Sequence, residues 1–159
     1  MNHIITSIVL SLLFLGCADK NAFSRFEMKK EQELGAVNLQ NSEIKTKDGE
    51  IKGIVSIVYL NNVYPTKYKD YEYFYVYLYL NDKQNLQNIN FLMKLNDKTP
   101  LSLKKLSSSN EFSNLTSTYN KWTNYYLAKF KQEKESKIKF TIEAEKFKSA
   151  TMVYDKDEE

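Results

Sequence analysis

Histidine and cysteine each occur once in this chain of 159 residues, as His3 and Cys17, and four glycines and two prolines are all the chain holds of those types. Each scarcity closes off a chemistry. One imidazole and one thiol cannot make up the His/Cys sets that hold zinc or copper, so no metal site and no cofactor are expected. A lone cysteine forms no internal disulfide. A serine nucleophile needs a base, and downstream of His3 only lysine remains; no serine sits in a nucleophile-elbow spacing. Four glycines are too few for a phosphate-cradling loop. Arginine is as rare: Arg25 stands alone among the basic residues, and the formal net charge is only +3. Bidentate reading of phosphate and guanine is arginine chemistry, so nucleic acid is not an expected partner, and the abundant Lys, Asn, Ile and Tyr are what AT-rich codons produce. Catalysis is disfavoured throughout, and the expectation is a protein that is not an enzyme.

What is present begins with an uncharged apolar run, Ile4 to Leu15, closed by Gly16-Cys17. Its length of about 12 residues falls short of the roughly 20 that a helix needs to cross a bilayer, and suits the h-region of an export signal. Leu13-Phe14-Leu15-Gly16-Cys17 resembles the lipobox of bacterial lipoprotein precursors, with Phe14 where leucine is usual. The resemblance implies cleavage before Cys17, acylation of its thiol, and anchorage to a membrane through that residue. Several acyl chains at about 0.8 kcal/mol per buried methylene give stable anchoring where one does not. An ordinary secretory signal with a chance cysteine, and an uncleaved anchor, are the competing readings. Ala18 follows the cysteine, where an aspartate would imply retention at the inner membrane, so the resemblance implies the cell outer membrane. Together with the strand end Tyr59-Leu60-Asn61 and the composition, the lipobox makes the chain similar to small outer-membrane lipoproteins of epsilon-class proteobacteria. That likeness carries no catalytic residues to transfer.

The chain divides into a signal peptide at 1–16, a lipidated N-terminus and tether at 17–40, a β domain at 41–155 and an acidic tail at 156–159. Phe23, Phe26 and Leu34 have loose helical spacing behind Asn21, so the tether is either a short helix or a flexible chain with a reach of roughly 25 Å. From Asn41 the period becomes two. Asp48-Gly49 predicts a tight turn between Ile44–Lys47 and Glu50–Leu60. Asn88–Leu95 and Lys137–Glu145 alternate as half-buried antiparallel strands, and Leu101–Leu106, Asn124–Lys131 and Ser149–Asp155 are weaker candidates. Leu60-Asn61-Asn62, Leu80-Asn81-Asp82 and Leu95-Asn96-Asp97 read as turns at strand ends. Ser107–Asn120 reads as the longest loop, with helical spacing of Phe112, Leu115, Tyr119 and Trp122 inside it. About seven short strands and few helices point to an all-β fold, an antiparallel β-sandwich of immunoglobulin-like pattern without the paired cysteines.

The unusual stretch runs from Tyr71 to Leu80. Tyr71, Tyr73, Tyr75, Tyr77 and Tyr79 fall on one face of a strand, and Phe74, Val76, Leu78 and Leu80 on the other. The aliphatic face meets the core. The tyrosine face either packs beneath the N-terminal segment or the 107–120 loop, with hydroxyls at the rim, or forms a flat platform for a surface glycan or an envelope protein. Tyr64 and Tyr68, flanking Pro65, extend it. Glu143 and Glu145 read as a solvated strand face rather than a glycosidase pair. The tail Asp155-Lys156-Asp157-Glu158-Glu159 lacks the glycine and spacing of a calcium loop. The functional expectation is a noncatalytic lipoprotein that acts by binding; the alternative is a periplasm-facing structural or assembly accessory of the envelope with no ligand of its own. Oligomeric state is not legible.

Overall fold

Asp48-Gly49 makes the turn that its sequence predicts. In the computed structural model, which describes residues 30–81, 91–116, 122–144 and 146–156, it joins β1 (Leu39–Thr46) to β2 (Ile51–Tyr59). Gly49 sits at φ +85°, where an L side chain would be strained, and the Thr46 amide donates to the Glu50 carbonyl at 2.9 Å. Cys17, the lipobox, the first half of the tether, Ile89, Glu145 and residues 157–159 lie outside the described residues.

The alternating segments are strands: β3 (Tyr71–Leu80), β4 (Leu92–Leu95), β5 (Ser102–Leu106), β6 (Thr123–Lys131) and β7 (Lys137–Ala144). The expected strand over Ser149–Asp155 is instead β8 (Phe147–Ser149) and β9 (Met152–Asp155), broken at Ala150-Thr151. Side chains replace the missing ladder bonds at the break. The Ala150 amide donates to the Ser42 hydroxyl, the Ile142 amide to the Ser149 hydroxyl, each at 2.9 Å, and Gln40 bonds both backbone groups of Val153. Buried backbone groups must find partners, and here polar residues inserted in β1 and β8 supply them.

Two short helices and a 3₁₀ turn complete the described chain: α1 (Lys30–Val37), α2 (Leu60–Val63) and the 3₁₀ turn at Ser113–Leu115. Leu60-Asn61-Asn62, expected as a turn, is therefore helical, because Leu60 and Val63 are both buried and one helical turn puts them on the same side. Leu95-Asn96-Asp97 is a turn as expected. Asn96 and Asp97 take φ of 46° and 63°, and Leu95 and Lys98 exchange two backbone hydrogen bonds of 2.9 Å.

The fold class is all-β and antiparallel. Hydrogen bonding runs β4-β7-β8-β1-β2-β3-β6-β5, with β9 also paired to β7. One half, β2-β3-β6-β5, faces the other, β4-β7 with β8 and β9, across a shared core, and β1 carries the hydrogen bonding between them. The layered arrangement is that of a sandwich. Two details differ from the expectation: there are nine described strands rather than about seven, and the two layers are continuous along one side through β1 and β8. Aromatic rings lock the halves together. Phe74 of β3 lies 4.8 Å from Phe140 of β7 and 5.5 Å from Tyr154 of β9, and Phe130 of β6 is 5.5 Å from Phe140. Each such buried side chain contributes about 1.5–3 kcal/mol, against about 0–1 for an exposed ion pair, so the core decides the fold.

Candidate functional site

The tyrosine row lies on the outer face of β3, opposite the core. The neighbouring strands set what each ring meets: Tyr75 pairs with Val58 on β2 and Leu127 on β6, Tyr77 with Ser56 and Tyr125, and Tyr79 with Ile54 and Thr123. A second apolar cluster forms there from Val58, Leu60, Val63, Tyr75, Phe112 and Leu115, with Leu34 and Leu39 packed on it. α1 approaches the 3₁₀ turn at Gly35, where a Cβ would lie 3.2 Å from the Leu115 carbonyl oxygen. The cover reaches only the middle of the row. Tyr75 is fully buried, Tyr73, Tyr77 and Tyr79 are half-buried, and Tyr71 is 36% exposed. The middle of the row is thus packed, and its Tyr71 end is exposed.

Burial shows in the phenols. Tyr75 is pushed up to about 12 by desolvation, and the Asn110 side-chain amide donates to its oxygen at 3.3 Å. Tyr77 is raised by the same cause, offset by a hydrogen bond with Ser56. Ile54, 48% exposed, lies beside Tyr79 and extends the open apolar surface at that end.

At the other end the rings meet lysines. The Lys129 ammonium lies 3.6 Å from the Tyr71 ring centroid and 5.7 Å from that of Tyr73, and Tyr73 is 4.6 Å from Tyr68. Lys67 stands 5.1 Å from the Tyr68 ring and pairs with Glu111 at 2.8 Å, which pushes it up to about 12. Lys131 faces Tyr71 in register, and Lys104 on β5 lies diagonally across from Lys129. No motif marks these lysines. The alternation Tyr125, Leu127, Lys129, Lys131 in β6 was the available signal, since it puts all four on one face.

A buried carboxylate was also missed. Glu72 alternates with the tyrosines, so it points to the core face, and it is fully buried. Four donors hold it: the Tyr59 hydroxyl at 2.6 Å and the Asn61 amide at 3.4 Å on Oε2, the Glu133 backbone N–H at 2.9 Å and the Lys156 ammonium at 2.8 Å on Oε1. Lys156 donates also to the Glu133 carbonyl at 2.6 Å. Glu72 forms the floor of an open cleft of ≈ 610 Å³ that includes Asn62, Asp70 and Gln132. With its oxygens occupied by internal donors, the carboxylate clamps β3, the β6–β7 turn and the segment after β9 together, and it presents nothing to a substrate.

Glu143 is the remaining carboxylate of interest. Lys94 at 2.7 Å and Lys148 at 2.9 Å bond it and hold it down at about 2. It is ionised and paired with two ammonium cations, an arrangement unlike a general acid. Among the described residues no group of three or more His, Cys, Asp or Glu is placed to hold a metal, and no helix is long and apolar enough to cross a membrane. Comparison with family models, with curated proteins and with solved structures finds no match for this chain. Function therefore rests on the geometry of the outer face.

Proposed function

We propose that this chain is a noncatalytic, lipid-anchored binding module of the cell envelope, held in the outer membrane through an acylated Cys17 and acting through the outer face of β3. The observation that carries the reading is the uneven cover of the tyrosine row: Tyr75 is sealed against Phe112 and Asn110 beside the 3₁₀ turn, while the row is exposed at Tyr71 on one side and, on the other, ends in half-buried Tyr79 beside the exposed Ile54. Rigid, half-buried tyrosines offer contact area at low entropic cost. The alternative, a periplasm-facing assembly accessory without a ligand, draws support from the structural part that Tyr75 plays.

Anchor and face are tested separately. Replacing Cys17 with Ala is expected to abolish labelling by a lipid analogue and to release the chain from the membrane fraction; persistence of both refutes the anchor. A photo-crosslinking residue at position 79 in cells is expected to trap an envelope component that the same residue at position 75 does not. Equal yields at the two positions would remove the face. Protease digestion of the tagged domain on intact cells assigns it to the surface, and protection until permeabilisation assigns it to the periplasm.

A further inference from the structure

We propose that the open end of the tyrosine row on β3 and β6 binds an acidic polysaccharide, an inference that rests on the binding function proposed above and gives it a ligand class. Cations and rings are interleaved there in one strip, Lys67, Tyr68, Tyr73, Lys129, Tyr71 and Lys131, each next to the following one by the ring distances already given or, for Tyr71 and Lys131, by strand register. Lys129 and Lys131 are two residues apart on one strand, about 7 Å along it, and project to the same face. Lys104 adds a third charge from β5. Among the described residues, none of these three forms an ion pair with a carboxylate, whereas Lys67, Lys94, Lys98 and Lys148 all do. Asp70 bounds the strip at one end. Lys129 and Lys131 beside fixed rings, with Lys104 one strand away, form a surface complementary to a chain that carries both anions and flat apolar C–H faces, which is the chemistry of a carboxylated or sulfated glycan.

The shape favours a polymer over a bilayer. Insertion into a membrane interface requires apolar side chains that protrude into the acyl boundary. Tyr73 is half-buried, and Tyr71 meets it edge-on with centroids 6.3 Å apart at 86°, so each ring is braced by its neighbour and neither stands free as an inserting side chain would. A linear sugar chain can follow such a strip with little ordering cost to the protein.

The test uses the full chain in detergent, applied to immobilised polygalacturonate, with dextran as the neutral surface. Retention on polygalacturonate and not on dextran is expected at about 50 mM salt, with loss at about 500 mM, as exposed charges require. Lys129→Gln with Lys131→Gln should weaken retention about tenfold at an unchanged melting temperature, and Lys131→Gln alone keeps the test if the double variant unfolds. Tyr71→Ala should weaken it as well, although no charge is lost. No retention at low salt, or retention that the lysine variants leave intact, overturns the proposal. Preferential binding of phosphatidylglycerol vesicles, lost in the lysine variants, would make the occupant a membrane and overturn it too. If Ile54→Ser with Tyr79→Ser weakens retention while the lysine variants do not, the strip is refuted and the binding face stands.

Discussion

Replacing Lys156 with methionine keeps the aliphatic stem and removes the ammonium that donates to Glu72 and to the Glu133 carbonyl. The Glu72 side chain is 1% exposed and that of Lys156 is 23% exposed, so this pair stands between two regimes. Breaking a fully buried pair costs about 3–5 kcal/mol and an exposed pair contributes about 0–1. Three donors still hold Glu72 after the change, while the Glu133 carbonyl loses this donor. A loss of about 2–3 kcal/mol is expected, which for a domain of this size lowers Tm by about 8–12 °C. Thermal and urea unfolding followed by circular dichroism read it directly. Lys137→Met is the internal control: its ammonium is 3.6 Å from Asp155, with side chains 70% and 74% exposed, and its loss should stay within about 0.5 kcal/mol. Adding Glu72→Gln should reveal a coupling with Lys156→Met of about 1 kcal/mol or more. Equal losses for Lys156→Met and Lys137→Met would refute the clamp.

The other expectations are more direct. Gly53→Ala is expected to destabilise by about 2 kcal/mol or more in urea titration, because its Cβ would collide with the Tyr79 carbonyl and Leu80 across the β2–β3 ladder and backbone cannot yield there. Tyr75→Ala should cost about 3–5 kcal/mol, as for other buried aromatics, while Tyr71→Ala at the exposed end should cost clearly less; equal effects would contradict the uneven cover. The depressed Glu143 carboxyl stabilises the fold above the unfolded carboxylate range and ceases to do so as pH falls toward about 2, so Lys94→Met should flatten the acid limb of the urea midpoint against pH. Tyr154, raised by burial with its hydroxyl donating to the Ile57 carbonyl at 2.9 Å, contributes stability below the normal phenol range that is lost as pH rises above about 10. Its ionisation, read by ultraviolet absorbance, should coincide with alkaline unfolding.

Strands were legible where one face meets the core and the other meets water. Lys137 to Ala144 alternates because Ile138, Phe140 and Ile142 are buried, and Asp48-Gly49 announces its turn by local conformational chemistry alone. The break between β8 and β9 left no such trace, since it depends on Ser42 and Gln40 more than a hundred positions away. Alternation also places Glu72 on the inward face of β3. Why a carboxylate can sit there depends on Tyr59, Glu133 and Lys156, which only the tertiary fold brings to it. The tyrosine row was visible as a row, but its division into a sealed middle and an exposed Tyr71 end follows from where Phe112 and the 3₁₀ turn settle. The lysines of the strip were hidden for a simpler reason: a lysine on an exposed strand face is unremarkable until its distance to a ring is known.

The bridge through β1 has a consequence for the order of events in folding. β1 emerges first and its second neighbour, β8, emerges near the end; the Ala150 amide reaches the Ser42 hydroxyl across 108 positions. A chain threaded from its N-terminal side makes the β1–β2 hairpin early and then holds a bare strand edge while a hundred residues follow. Collapse of the β2-β3-β6-β5 half alone leaves that edge open to other chains. Arrival of the closing strand, rather than formation of the first hairpin, commits the sheet to its final shape, so a polypeptide halted before residue 147 should be an aggregating species and not a smaller version of the domain.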